Sequence, residues 1–282
     1  MSTQTSKNTT EAGKNRPQKQ KEKGPAGGQL VRLTDLVKTL QFAWFAGHLT
    51  VLVMGSLYIL SVRGSSRFHQ ALYSLLYLGV LESFGIIVYQ HHYNAGSKQP
   101  GKGFTITELI QDENFLYCLL AMLWLFTPRF LWTVPPFFIF SLFHALTYIK
   151  NVILPVVFQA DDKNSLVQLI SRFLRENHDK SLSWSCTSEL LCYVVVIFRA
   201  LAFRPSSWIV FVLYSIFIKA RYERSANMKT VVRKWEARVD GLVSHPQVPP
   251  ALKRIYASSK MYISKLGNYA ITRQSVPPSK QN

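Results

Sequence analysis

The residue types that most often bind metals or carry catalysis are sparse in this chain and widely spaced. Of its seven histidines only His91 and His92 are neighbours, whereas di-iron membrane enzymes need several histidine clusters in HxxxH or HxxHH spacing. The three cysteines, Cys118, Cys186 and Cys192, lack CxxC spacing, which excludes a disulfide scaffold and a cysteine-based zinc site. We therefore expect no metal and no cofactor, and interfacial polar roles for the histidine pair.

The sequence also lacks the known motifs of catalytic residues. The chain has no Ser–His–Asp order, no nucleophile elbow and no phosphate-binding loop. A lipid-modifying enzyme would need a cluster of acid and base residues or of metal ligands, which the sequence does not supply. We predict no catalytic residues and a protein that is not an enzyme.

Glu82 is the residue that could support transport, because it is the one charge in the apolar segment 71–90. A carboxylate inside the membrane costs about 2.5–3.5 kcal/mol on insertion scales and by default indicates an ion or proton path. One carboxylate does not make a path, so a structural pairing with His48, Arg199 or a backbone group is favoured. The alternative function is a small-solute or ion transporter or channel that uses Glu82.

The composition indicates a membrane protein with basic ends. The chain of 282 residues is 48% hydrophobic and 13% aromatic, and only 17% of it is charged, against about 25% in soluble domains. Its net charge of +18 divides into +5 for residues 1–39, +3 for 40–218 and +10 for 219–282. This distribution argues against a soluble nucleic-acid-binding domain, whose basic residues would cover a folded polar surface.

Several apolar segments are long enough to enter a bilayer. They cover residues 40–62, 71–90, 115–126, 130–149, 189–203 and 205–218. The first spans about 34 Å as a helix, enough to cross a hydrocarbon core of about 30 Å. Segment 115–126 is too short, and Pro135–Pro136 breaks segment 130–149. Two crossings with two helical hairpins, or six crossings, both fit the pattern.

The polar segments complete the predicted organisation. Residues 1–29 and 271–282 are expected to be disordered tails, and 30–219 a helical membrane domain with an amphipathic helix at 164–177. Residues 220–270 are expected to form cytosolic amphipathic helices. Because both ends are basic, the positive-inside rule places both in the cytosol. The sequence thus predicts an all-α, polytopic integral membrane protein with transmembrane helices, short helical hairpins and amphipathic interfacial helices.

The strongest local signal is a basic amphipathic helix from about residue 251 to 270. Its apolar sector consists of Leu252, Ile255, Tyr256, Tyr262, Ile263, Leu266 and Tyr269, and its basic residues are Lys253, Arg254, Lys260 and Lys265. Such a helix binds anionic bilayers through apolar burial and charge. Packing against the protein's own membrane domain is the alternative. An import receptor could also bind this basic tail, whereas nucleic acid is not expected to.

Motifs spread along the chain resemble the transmembrane protein 33 family. The clearest is the run from Phe138 to Lys150, Phe-Ile-Phe-Ser-Leu-Phe-His-Ala-Leu-Thr-Tyr-Ile-Lys. The supporting pieces are Gln111-Asp112-Glu113, Tyr117-Cys-Leu-Leu120, Lys219-Ala-Arg221-Tyr222 with Asn227, Pro250-Ala-Leu-Lys-Arg254 and Tyr262-Ile-Ser-Lys-Leu266. The resemblance covers about residues 30–270, and the long Lys/Gln-rich N-terminal segment is similar to the fungal branch.

The resemblance implies an all-helical protein of the endoplasmic reticulum and nuclear envelope. It further implies association with curved membrane, with reticulon-type proteins and with nuclear pore complex components, in pore biogenesis or distribution. The family's C-terminal amphipathic region corresponds to residues 251–270 here. Nothing in the resemblance supplies a catalytic residue.

Overall fold

The computed structural model describes residues 32–61, 67–96, 106–161 and 163–267, which form helices and short connections. Residues 32–37 are helical. The following elements are, in chain order, α1 (Leu40–Leu60), α2 (Arg67–Gly96), α3 (Ile106–Ile110), α4 (Glu113–Phe126), a 3₁₀ turn (Leu131–Thr133), α5 (Val134–Tyr148), a π turn (Ile149–Ile153), α6 (Leu154–Phe158), α7 (Ser165–Leu201), α8 (Ser207–Arg224), α9 (Ala226–Ser244) and α10 (Pro250–Gly267). The predicted tails at 1–29 and 271–282 lie outside the described residues.

Four of these helical stretches are long and apolar enough to cross a membrane. They are Leu40–Leu60, Arg67–Tyr93, Leu131–Phe158 and Ser165–Leu201, and the shorter apolar helix α4 accompanies them. The described residues contain no strand. The prediction of an all-α, polytopic membrane protein is confirmed.

Side-chain caps fix where several helices begin. Thr39 accepts from the backbone N–H of Phe42 at the start of α1, and Asp112 accepts from that of Asn114 at the start of α4. Asn164 caps α7 and Ser225 caps α9 in the same way. Each cap satisfies a backbone donor that has no partner within its helix. The start of α4 carries Glu113, and the start of α9 follows the last turn of α8, which carries Arg221; these two residues form an ion pair.

Two stretches differ in detail from the sequence-based segmentation. Pro135 and Pro136 occupy the first turn of α5, where a missing N–H costs nothing, so they start this helix and do not break it. The segments 164–177 and 189–203 belong to one helix of 37 residues, α7. No glycine or proline lies between Ser165 and Leu201, so no backbone signal ends the helix between its polar and apolar halves.

The core between α1 and α2 depends on two glycines that face each other. A Cβ on Gly47 would lie 2.8 Å from the carbonyl oxygen of Gly79, and a Cβ on Gly79 equally close to that of Gly47. Small residues at such positions let helices in a membrane pack backbone against backbone. Deeper in the core, Tyr73 and Tyr77 both hydrogen-bond to Thr133, which ties α2 to the start of α5.

Substitution of Gly47 by Leu is expected to destabilise the protein by about 1–3 kcal/mol, since the larger side chain forces α1 and α2 apart. Gly85→Leu is the matched control, because a Cβ at this α2 glycine has open space around it. The measurement is thermal unfolding of the full chain in detergent micelles. Equal unfolding temperatures for the two variants would show that the glycine contact is unimportant.

Candidate membrane-binding surface and its anchor

A buried ion pair joins α7 to α8. The Arg221 Nε donates to the Glu189 Oε2 at 3.3 Å, and both residues are almost completely buried, with 6% and 0% of their surfaces exposed. The Arg221 Nη1 also donates to Glu113 Oε2 at 2.9 Å. One arginine therefore connects the starting turn of α4, the middle of α7 and the end of α8.

Two tyrosines complete the hydrogen bonding of Glu189. The Tyr117 hydroxyl donates to the Glu189 Oε1 at 2.7 Å, and the Tyr214 hydroxyl donates to the backbone carbonyl of Glu189 at 3.0 Å. The guanidinium of Arg221 lies 5.2 Å from the centre of the Tyr117 ring, a cation–π contact. Because both charges are paired and hydrogen-bonded, their burial is tolerable.

Sequence reasoning missed this network. Glu189 and Arg221 are 32 positions apart and each lies at the end of an apolar segment, where a charge is ordinarily explained by the membrane interface. The predicted pairing of Glu82 with His48 or Arg199 is not found in the structure either. Glu82 is exposed on α2 and forms no ion pair with any described residue, while His48 bonds to Ser141 and Arg199 lies over the ring of Phe130.

The basic helix α9 docks on this anchored part of the bundle. Met228 and Val231 are buried against Cys186 of α7, and the partly buried Leu190, Val232 and Trp235 pack around them. The cap at Ser225 places α9 directly after α8, whose last turn carries Arg221. Most of the apolar stripe of α9 is thus buried against the protein's own bundle.

The apolar face of α10, in contrast, is left open. Leu252 and Ile255 are 54% and 62% exposed, although they belong to the predicted apolar sector. Lys253, Arg254 and Lys265 form no ion pair with any described residue. The structure does not describe the side chains of Tyr262, Ile263 and Leu266, and Tyr269 lies outside the described residues. The described members of the predicted set thus form an apolar strip with basic neighbours.

Two predicted membrane-binding residues instead hold α10 against α9. The ammonium group of Lys260 lies 2.9 Å from both the Glu236 Oε1 and the Asp240 Oδ2, and the Tyr256 hydroxyl donates to the Asp240 Oδ1 at 2.7 Å. The hydrogen bond from Lys260, followed by that from Tyr256, lowers the pKa of the Asp240 carboxyl below its usual value. The hydrogen bond to Asp240 raises the pKa of the Tyr256 hydroxyl. We call this group the polar latch. It is exposed, so it is weak compared with the buried Glu189–Arg221 pair.

The fold and this surface define an all-helical, multi-pass membrane protein with an exposed amphipathic helix at its C-terminal side. The family model described as Transmembrane protein 33/Nucleoporin POM33 matches residues 25–268. The chain belongs to this family, which confirms the resemblance seen in the sequence.

Several fungal relatives are similar over nearly their whole length. The chain is 40% identical to "Pore membrane protein of 33 kDa" of Saccharomyces cerevisiae, over 89% of this chain and 92% of the relative. It is 28% identical to "Nucleoporin POM33" of Chaetomium thermophilum, over 86% and 90%. It is 25% identical to "Pore and endoplasmic reticulum protein of 33 kDa" of Saccharomyces cerevisiae, over 80% and 90%. No solved structure matches the chain.

The variant Arg221→Met is expected to destabilise the protein by about 3–5 kcal/mol, because it leaves the buried Glu189 without a partner. Adding Glu189→Gln to it should restore part of this loss, since the remaining buried group is then neutral. Lys219→Met is the control; it breaks a more exposed pair with Glu223 on the same helix, at about 1 kcal/mol or less. Unfolding in micelles, followed by tryptophan fluorescence, measures all three. Equal losses for Arg221→Met and Lys219→Met would contradict the anchoring role.

Removal of the polar latch is expected to free α10 without unfolding the bundle. In the double variant Glu236→Gln and Asp240→Asn, trypsin should cleave the full chain after Lys253 and Arg254 several-fold faster than in the native protein. Glu223→Gln is the control, because Glu223 pairs with Lys219 and lies outside the latch. Unchanged cleavage in the double variant would mean that other contacts hold α10.

Proposed function

We propose that this protein is a non-enzymatic scaffold that shapes the membrane of the endoplasmic reticulum and nuclear envelope and assists the formation or distribution of nuclear pore complexes. The observation that carries the proposal is the open apolar strip of α10 at Leu252 and Ile255, beside basic residues that form no ion pair within the described part of the chain. The names of the relatives support the location, since they refer to the pore membrane and to the endoplasmic reticulum.

The orientation follows from charge. Residues 219–282 carry a net charge of +10 and residues 1–39 a net charge of +5, so the positive-inside rule puts both termini in the cytosol. There α10 faces the anionic cytosolic leaflet, where each nearby lysine or arginine contributes about 1 kcal/mol of attraction.

Insertion of α10 into one leaflet supplies the shaping activity. An amphipathic helix that lies in the headgroup region widens the leaflet it enters. Widening of the cytosolic leaflet favours positive curvature, which the rim of a nuclear pore and a reticular tubule both have in one direction.

The partners follow from the same surfaces. The lipid bilayer, anionic and curved, is the first partner, and nuclear pore complex components and reticulon-type proteins are the protein partners that the family suggests. The basic C-terminal tail can also take an import receptor. We do not expect nucleic acid to bind, because Leu252 and Ile255 make the exposed strip of α10 apolar.

The test is the binding of a peptide spanning residues 248–273 to anionic liposomes of different radii. Burial of an isoleucine side chain is worth about 1.5–3 kcal/mol, so Ile255→Asp should weaken binding at least about tenfold, and Ile263→Asp should add to the loss. Met261→Asp is the matched control: it introduces the same charge at an exposed position about half a turn away from Leu252.

Tighter binding of the native peptide to small liposomes would support a preference for curved membrane. Equal losses for Ile255→Asp and Met261→Asp would show that only charge matters, and absence of binding would remove α10 from the proposed function.

A further inference from the structure

Two histidines and a carboxylate meet where the end of α2 approaches the start of α4. The Nδ1 of His91 lies 3.1 Å from the Asp112 Oδ2, and the Nε2 of His92 lies 3.0 Å from the same oxygen. The three candidate ligand atoms all lie within 4.8 Å of one another. The histidines come from neighbouring positions on one helix, and Asp112 is 20 residues further along the chain.

Asp112 is held in place for a ligand on one of its oxygens. Its side chain is only 5% exposed. Its Oδ1 accepts from the backbone N–H of Asn114 at 2.8 Å and from the Asn114 side-chain amide at 3.0 Å. These bonds orient the carboxylate and leave the Oδ2 toward the histidines. Supporting hydrogen bonds of this kind orient carboxylate ligands in metal sites.

We propose that His91, His92 and Asp112 bind a divalent transition metal ion of the zinc type, with water as the fourth ligand. Two imidazoles and one carboxylate are a ligand set that Zn²⁺ accepts, with bonds of about 2.0–2.2 Å. A tetrahedron with such bonds has edges of about 3.3 Å, so the two N–O separations need to open by only a few tenths of an ångström. The two imidazoles must also approach each other, which rotation of the exposed His91 side chain allows.

The surroundings permit such an ion to enter from solvent. The side chain of His91 is 68% exposed, whereas those of His92 and Asp112 are 12% and 5% exposed. The site is therefore open to solvent at His91 and closed by protein at His92 and Asp112. The positive charge of Arg224 interacts with the carboxylates of Asp112 and Glu113. It therefore repels a cation bound at Asp112. Glu113 carries a negative charge next to Asp112, and it is shared with Arg221, which also pairs with Glu189.

The bound ion would join α2 to α4 at the end of the bundle where α4 begins. Glu113, the residue after Asp112, belongs to the Arg221 network. The metal would therefore brace the same turn that the buried arginine holds. This role is separate from membrane binding by α10, and it departs from the expectation that the chain binds no metal.

The test is a titration of Zn²⁺ into the full chain in lipid nanodiscs, produced without a histidine tag and followed by calorimetry and by thermal unfolding. We expect one ion per chain and a higher unfolding temperature. His91→Gln with His92→Gln should weaken Zn²⁺ binding at least about tenfold. Asp112→Asn should weaken it comparably, and asparagine still caps α4, so this variant keeps its fold.

His178→Gln is the control, because this exposed histidine of α7 lies outside the cluster, and its Zn²⁺ affinity should equal that of the native protein. X-ray absorption at the zinc edge should show two imidazoles and oxygen ligands in the native protein. Failure to bind stoichiometric Zn²⁺, or binding that survives both cluster variants, would overturn the proposal and leave Asp112 as a helix cap hydrogen-bonded to two histidines.

Discussion

The burial of one carboxylate in an apolar bundle is the constraint on which the rest of this structure depends. Glu189 has no exposed surface, and an ionised carboxylate there requires a partner charge and further hydrogen bonds. Arg221, Tyr117 and Tyr214 supply them. To do so, α4, α7 and α8 must come together at this point. Arg221 lies in the last turn of α8, and Ser225 caps the start of α9 directly after it.

The two C-terminal helices show how this constraint separates two similar sequence patterns. Both α9 and α10 are basic and amphipathic. Helix α9 follows directly after the turn that carries Arg221 and packs on α7 beside Cys186. The apolar stripe of α9 is buried there. The prolines after α9 turn the chain away from the bundle, and α10 contacts α9 through the polar latch. One helix therefore completes the fold, and the other keeps an apolar face for the bilayer.

Much of the fold could be predicted from local signals. The apolar runs around residues 40–62 and 71–90 predict α1 and α2, because together they carry one charged side chain, Glu82, and each is about as long as a membrane is thick. The continuity of α7 was harder to see, since His178-Asp179-Lys180 is polar although it contains no helix breaker. The Glu189–Arg221 pair and the meeting of Asp112 with the histidine pair could not be predicted at all. Both join residues that are distant in sequence, and periodicity describes only one helix at a time. The basic apolar pattern of α10 was visible, but the pattern could not tell that α9 would be buried and α10 exposed.

Above all, α10 is expected to lie against the same membrane that holds the bundle. The most direct measurement is the accessibility of a spin label to oxygen, with the label at residue 255 or at residue 261 of the full chain in nanodiscs that contain anionic lipid. The native cysteines are buried, so the introduced one can be labelled selectively. If α10 lies on the membrane, the label at 255 is in contact with lipid, with high access to oxygen and low access to a polar reagent, while the label at 261 is in water. Labels at both positions equally exposed to water would contradict it.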